Sequence, residues 1–227
     1  MVTTSDERRP ARNDYRRRRP LPALAILLVL AIVVFVVWRQ VLGSQATVVG
    51  ASACPAPLAP SVSADPTAPA AAPAGRAVAR AELAATAPAA PRDTTVRVLN
   101  ANGQLGQAGL VSSELAQAQL GFVRAADTPT GNDTVYPDQN MQCVGQIRFG
   151  AAGLAQARTL SLAVPCAELV QDGRADTVVD LALGTTFSTV APSAAAQAVL
   201  TALNAAPPGK PATVDQTDLS AASNASC

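Results

Sequence analysis

Histidine is absent from this chain of 227 residues, and aromatic residues make up only 3% of it. Without histidine, the chain has no Ser-His-Asp triad, no Cys-His pair and no histidine-ligated zinc or iron. Alanine and valine supply most of the 49% hydrophobic content, so any core is built from small side chains. We predict no catalytic residue, no metal site and no cofactor.

Positive charge is scarce beyond the N-terminus. Residues 1–20 hold seven arginines against three acidic residues, and the remainder of the chain holds ten basic and thirteen acidic residues. A mildly acidic remainder lacks the basic surface that binds nucleic acid. We therefore expect no nucleic-acid partner.

Long runs that are almost wholly apolar are rare as well, with one exception at residues 21–38, which also contain no charge. As a helix, this run would be roughly 27 Å long, close to the ~30 Å thickness of the hydrocarbon core of a bilayer. Pro20 and Pro22 fall in the first turn, where a missing N–H costs little. Trp38 lies at the far end, where its ring suits a membrane interface. The run predicts a single transmembrane helix.

The flanking charges predict how this helix is oriented. Four consecutive arginines at positions 16–19 precede the run, and only Arg39 follows it directly. The positive-inside rule then makes residues 1–20 a basic cytoplasmic tail and places the chain beyond about residue 40 outside the cell membrane. A cleaved signal peptide is the alternative, although its apolar region is usually only about 7–15 residues long.

Proline and alanine dominate the next segment. Eight prolines lie between Cys54 and Pro91, and they disfavour a long helix. We predict an extended extracytoplasmic linker over residues 39–93. A globular domain is expected over residues 94–206, followed by a loose tail over residues 207–227 that ends in Cys227.

Hydrophobic periodicity indicates the elements of the domain. The predicted strands cover residues 96–100, 122–123, 146–150 and 178–184. The predicted helices cover residues 104–120, 151–162 and 193–203. The expected fold is α/β: a small two-layer sandwich of two βα units, with two to three helices on a mixed four-stranded sheet.

All four cysteines lie beyond the predicted membrane helix. An even number of cysteines in an exported chain indicates disulfides. Three pairings are open, of which we favour Cys143–Cys166 together with Cys54–Cys227. Redox sensing is the alternative role for these thiols.

Several segments resemble known sequences. Residues 96–122 (VRVLNANGQLGQAGLVSSELAQAQLGF) resemble the start of the LytR-type C-terminal (LytR_C) domain. A family of actinobacterial envelope integrity proteins is similar in residues 143–153 (CVGQIRFGAAG), 164–169 (VPCAEL) and 172–185 (DGRADTVVDLALGT). The resemblance implies a role in cell envelope integrity without a known reaction. Related chains carry a LytR-CpsA-Psr ligase domain as well, and the linker leaves no room for one here.

The glycine turn at residues 100–106, NANGQLG, has three interpretations. A dinucleotide site is the weakest, because the turn contains only G-x-x-G. In a structural turn, Gly103 has a positive φ and Asn100 or Asn102 caps the next helix. In the third, the helix N-terminus binds an anion or a polyprenyl pyrophosphate. The candidate ligand-binding residues are Asn100, Asn102, Gly103, Gly106, Arg97 and Arg148.

These features predict a non-enzymatic, membrane-anchored extracytoplasmic protein. Its expected partner is a cell-wall glycopolymer, the polyprenyl-linked precursor that carries it, or an envelope assembly protein. A scaffold that recruits LytR-CpsA-Psr-type ligases is the alternative. An enzyme acting on wall glycan is the third, but it would need two carboxylates beside a cleft, and we interpret Asp172, Asp176 and Asp180 as solvated. The aromatic residues beyond residue 94 are Phe122, Tyr136, Phe149 and Phe187.

Overall fold

The computed structural model describes residues 30, 53–57, 75–207, 210 and 212–224. The chain divides into two units, Met1–Gln45 and Ala46–Cys227, and the elements below belong to the second. The predicted cytoplasmic tail lies outside the described residues, as does the predicted membrane helix apart from Leu30, which is helical. Among the described residues, no helix has the length and apolar character needed to cross a membrane.

The described part of the second unit forms seven strands and five α-helices. The strands are β1 (Arg76–Val78), β2 (Thr95–Asn100), β3 (Val123–Arg124), β4 (Thr130–Asn132), β5 (Gly145–Phe149), β6 (Glu168–Gln171) and β7 (Val179–Leu183). The helices are α1 (Arg80–Ala84), α2 (Gln107–Leu115), α3 (Leu154–Ala163), α4 (Ala194–Ala205) and α5 (Gln216–Ser223).

All seven strands belong to one sheet, and the sheet is mixed, as the sequence predicts. The order is β1-β6-β5-β7-β2-β3. Strand β4 also pairs with β2: β3 pairs with residues 95–96 of β2, and β4 pairs with residues 98–100. Strand β2 runs parallel to β7, β3 and β4, and β5 runs parallel to β6. The β5–β7 and β1–β6 pairs are antiparallel. The sheet is therefore larger than the predicted four strands. The prediction missed β1, β4 and β6, because they are too short to show a clear alternation.

The helices pack on one face of this sheet. Val96 and Val98 of β2 point into the main core, where Ile147 and Phe149 of β5 and Leu181 of β7 join them. All five helices contribute residues to the same core. Because side chains along a strand alternate between the two faces, the residues between these apolar ones lie on the opposite face.

Helix α2 is shorter than the predicted helix over residues 104–120. It begins at Gln107, because Gly106 has φ +80° and interrupts the helical backbone. It ends at Leu115, and the chain then turns so that the N–H of Gly121 donates to the carbonyl of Gln117 at 2.7 Å. Gly121 itself has φ +72°, so it ends the turn rather than the helix.

The folded unit begins before residue 94. Strand β1 pairs with β6, and Leu83 of α1 is fully buried in the main core. Residues 75–93 therefore belong to the fold and not to the linker. The predicted loose tail also contains helix α5, which packs Ala222 into the core. The prediction missed residues 75–93 because of the prolines in and before this segment. It missed α5 because the sequence of this helix is only weakly apolar.

The disulfide pairing differs from the prediction. Cys54 bonds to Cys143, with their Cα atoms 5.1 Å apart, so the pairings Cys143–Cys166 and Cys54–Cys227 are wrong. Cys143 belongs to a small cluster on the sheet face opposite the helices. Val164, two residues before Cys166, belongs to the main core. Cys143 and Val164 are therefore in different clusters, on opposite faces of the sheet. Cys166 is also disulfide-bonded, so the presence of disulfides is confirmed.

Candidate functional site

The sheet face opposite the helices carries charged and polar side chains, and we call it the open face. Arg97 of β2, Arg148 of β5 and Asp180 of β7 alternate with residues of the main core. The small hydrophobic cluster on this face contains strand and loop residues, none of them helical. The open face is thus accessible over part of its surface.

A chain of alternating arginines and aspartates crosses the open face. Asp180 accepts hydrogen bonds from Nε and Nη2 of Arg97 at 2.8 and 2.9 Å, and from Nη2 of Arg174 at 2.7 Å. Arg174 also donates from Nε and Nη2 to Asp172 at 2.9 and 2.7 Å. The β2–β7 register places Arg97 directly opposite Asp180, so their side chains share a face. We call these four residues the ion-pair network.

The network favours the charged forms of Arg174 and Asp172. Burial lowers the pKa of the Arg174 guanidinium, but hydrogen bonds to Asp180 and Asp172 outweigh burial, so that the pKa is raised overall. Burial raises the pKa of the Asp172 carboxyl, but hydrogen bonds from Arg174 hold it below its ordinary value. A carboxylate with a lowered pKa is ionised at neutral pH and cannot serve as a proton donor.

Arg148 lies deeper in the same face. Its side chain is 5% exposed and forms an ion pair with Asp133, whose side chain is 0% exposed. Arg148 also donates from Nε to Gln146 at 2.9 Å, and Gln146 donates to Glu168 at 2.8 Å. The guanidinium carbon lies 5.8 Å from the ring centroid of Tyr136, within the range of a cation–π contact. These contacts fix Arg148 in one position.

A cavity of about 370 Å³ lies over the ion-pair network. Such a volume is at the lower end of the range for small-molecule sites, roughly 300–1,000 Å³. All four network residues and Arg148 line it. The uncharged polar part of the lining is Thr128, Thr130, Asn132 and Thr134.

Residues 53–57 lie against the open face beside this cavity, and we call them the strap. Besides the disulfide to Cys143, the backbone N–H of Cys54 donates to Glu168 at 3.3 Å. The hydroxyl of Tyr136 donates to the carbonyl of Pro55 at 2.6 Å. Tyr136 is consequently only 3% exposed. The strap therefore covers Tyr136, whose neighbour Val135 lines the cavity.

The six predicted ligand-binding residues separate into two groups. Arg97 and Arg148, expected to be the cations nearest the glycine turn, both line the cavity. The residues of the turn itself do not belong to the cavity lining. They are Asn100, Asn102, Gly103 and Gly106.

The asparagines close the turn instead of capping helix α2. Nδ2 of Asn100 donates to the carbonyl of Gln104 at 2.9 Å, and Oδ1 of Asn102 accepts from the N–H of Gln104 at 3.0 Å. The N-cap residue of α2 is Gly106, and no side chain caps it. The expectation of an asparagine cap is wrong, because the second glycine moves the start of the helix away from both asparagines. Gly103 has the expected positive φ, +72°.

Sequence reasoning missed Asp172, Arg174 and Asp180. The prediction that these aspartates are solvated is wrong for Asp172 and Asp180, which bind arginines. The sequence did contain a signal for the Arg97–Asp180 pair, because each of these residues occupies an outward position in a predicted strand. Their partnership depends on β2 lying next to β7, which the sequence alone does not reveal.

The aromatic residues in the described part of the chain provide no exposed ring at this site. Each has 4% or less of its surface exposed. They are Phe122, Tyr136, Phe149 and Phe187. A glycan bound here would have to be held by hydrogen bonds.

Known proteins match most of the chain. Residues 93–187 match the family LytR_C, described as LytR cell envelope-related transcriptional attenuator. Cell envelope integrity protein Cei of Mycobacterium tuberculosis is 42% identical over 200 residues, which cover 87% of this chain and 88% of Cei. The crystal structure of the soluble domain of a conserved hypothetical secreted protein from Mycobacterium marinum is similar, with a TM-score of 0.60 and 43% identity; the match covers 69% of this chain and 100% of that one. The chain therefore belongs to the family of cell envelope integrity protein Cei and carries a LytR_C domain.

Proposed function

We propose that this chain is a non-enzymatic, membrane-anchored protein whose extracytoplasmic domain supports envelope integrity by binding wall material on its open face. The cavity over the ion-pair network carries the proposal. The ligand is a cell-wall glycopolymer, its lipid-pyrophosphate carrier or an envelope assembly protein. Since the helices pack on the other face of the sheet, a long polymer has room to lie across this one.

The proposed topology places residues 1–20 in the cytoplasm, a single helix over residues 21–38 in the membrane, and the remainder outside. The seven arginines near the N-terminus favour this orientation. The Cys54–Cys143 disulfide favours an oxidising compartment for the domain. The M. marinum neighbour is itself described as a secreted protein.

The carboxylates of the cavity argue against glycan hydrolysis. Such enzymes usually need one carboxyl group with a raised pKa to act as an acid, whereas the pKa of Asp172 is lowered. Asp180 is shared between two arginines. Both carboxylates are thus engaged in holding Arg97 and Arg174, which suits binding rather than catalysis.

Site-specific photocrosslinking in intact cells tests the proposal on the full-length chain. A photoreactive amino acid replaces Thr130 at the cavity, and a control replaces Arg124, which is exposed on β3 and outside the cavity lining. We expect wall material to crosslink at position 130 only. Equal crosslinking at both positions, or none at position 130, would contradict binding through the open face.

The scaffold alternative has its own structural support. Leu105 in the glycine turn is 98% exposed and Leu110 on α2 is 75% exposed. A contiguous apolar surface patch marks a protein contact, and these two leucines would contribute to such a patch. A photoreactive residue at position 110 that captured a ligase, with none of the crosslinks expected at position 130, would favour the scaffold.

A further inference from the structure

We infer that the cavity on the open face binds an uncharged saccharide through its hydroxyl groups, and not a phosphate. This inference rests on the proposed function and specifies the chemistry of the ligand. It follows from the charge balance of the cavity, from the hydrogen-bonding atoms that remain available, and from the rigidity of the groups that carry them.

The charges around the cavity cancel. Arg148 is paired with Asp133, and Arg97 and Arg174 are bound to Asp180 and Asp172. An entering phosphate would meet no uncompensated cation in this lining, and it would have to approach two aspartates that are already bound to arginines. Like charges at close range oppose each other, so the cavity does not select an anion. A neutral ligand has no such penalty.

Hydrogen-bonding capacity remains at the accessible part of the network. Nη1 of Arg97 has no hydrogen-bond partner within the described part of the chain, and the side chain is 34% exposed. The side chain of Asp172 is 19% exposed, and each carboxylate oxygen can accept more than one hydrogen bond. The hydroxyls of Thr128 and Thr130 both donate and accept. Donors and acceptors side by side match neighbouring sugar hydroxyls, which also do both.

Asp180 is a positioning residue in this arrangement. Its side chain is only 5% exposed and accepts three hydrogen bonds, two from Arg97 and one from Arg174. The guanidinium groups are therefore already fixed when a ligand arrives. Fixed groups lose little side-chain entropy on binding, which compensates for the absence of an exposed aromatic ring in this lining.

The test uses the full-length chain in micelles of a detergent that contains no sugar, with binding measured by calorimetry. The probes are a panel of neutral pentose and hexose oligosaccharides, and inorganic pyrophosphate. We expect a neutral oligosaccharide to bind with an affinity that changes less than about twofold between about 50 and 500 mM salt, because no ionic contact is screened. Arg97→Ala and Asp172→Asn should each weaken this binding at least about tenfold. The control variant Arg124→Ala should bind like wild type.

Three results would overturn the inference. One is binding of pyrophosphate that depends steeply on salt and is lost in Arg97→Ala. The second is the failure of every neutral probe at millimolar concentration, and the third is unchanged binding by the Arg97 and Asp172 variants. If wall material still crosslinks at Thr130 in any of these cases, the proposed function stands and only the saccharide chemistry fails. If that crosslink is missing too, both fail.

Discussion

At the scale of single residues, the most consequential contact of the open face is the buried ion pair of Arg148 and Asp133. Removing one partner leaves the other charge buried without compensation, which usually costs about 3–5 kcal/mol. We expect Arg148→Ala to lower the free energy of unfolding by this amount in urea titrations. The matched control is Arg76→Ala, because Arg76 and Glu82 form an ion pair with side chains 61% and 50% exposed; its loss should cost about 0–1 kcal/mol. Similar losses in both variants would contradict the burial argument.

Alanine substitutions at two glycines that lie three residues apart are expected to have opposite effects on stability. Gly106 has φ +80°, and a Cβ added there meets nothing within 4 Å, so Gly106→Ala should destabilise through backbone strain alone, by about 1–2 kcal/mol. Gly109 lies within α2 and also has open space around an added Cβ. Gly109→Ala should therefore stabilise by about 0.5–1 kcal/mol. Urea midpoints measure both, and a destabilising Gly109→Ala would show that α2 is not helical at this position.

The candidate site was partly predictable at this scale. Arg97 and Arg148 were identified from strand position, and both line the cavity. Their partners could not be assigned: Asp180 lies 83 residues from Arg97 in the sequence, and Asp133 directly follows the short strand β4, which the sequence does not reveal. Such pairs depend on strand order, and strand order is set by the packing of the whole sheet.

At the scale of elements, the strap is held mainly by its disulfide. The bond joins residues 89 positions apart, and a loop of that size corresponds to about 4.6 kcal/mol by chain entropy. We expect the double variant Cys54→Ser, Cys143→Ser to lose about that much in free energy of unfolding and to become sensitive to protease within residues 53–57. Tyr136→Phe, which removes one hydrogen bond to the strap, should cost only about 1 kcal/mol. Equal losses of unfolding free energy in the double variant and in Tyr136→Phe would show that the disulfide hardly constrains the unfolded chain.

The connection between β6 and β7 predicts a pH dependence. The pKa of Asp172 is lower in the folded chain than its ordinary value, so its ion pair stabilises the fold above the unfolded pKa of about 3.9. This contribution is lost as the pH falls through the folded pKa. We expect Asp172→Asn to lower the free energy of unfolding at pH 7 and to differ less from wild type at strongly acidic pH. Acid titrations of stability measure this, and a difference that does not shrink with falling pH would contradict it.

Elements with strong patterns were predictable and the others were not. Strands β2, β5 and β7 each alternate apolar with polar residues or lie in β-branched runs, and their predicted positions agree with the structure. Strands β1, β4 and β6 have three or four residues each, which is too few for periodicity to be read. They form because a longer neighbouring strand offers unpaired backbone groups. This dependence on a neighbour is absent from local sequence.

At the scale of the whole molecule, the fold class was predictable and the extent of the folded unit was not. Alternation in the strands and helical spacing indicated helices on a mixed sheet, and the structure confirms this arrangement. The sequence placed the start of the domain at residue 94, whereas β1 begins at Arg76 and the disulfide reaches Cys54. A proline-rich segment can be part of a fold when a sheet edge and a disulfide hold it.

The proposed function requires that the open face be the surface that binds wall material. The most direct measurement is the recovery of detergent resistance in cells that lack the protein, when full-length variants are supplied at equal levels. We predict that Arg124→Ala restores wild-type resistance and that Arg97→Ala does not. Full recovery with Arg97→Ala, at wild-type abundance, would contradict a role of the open face in envelope integrity.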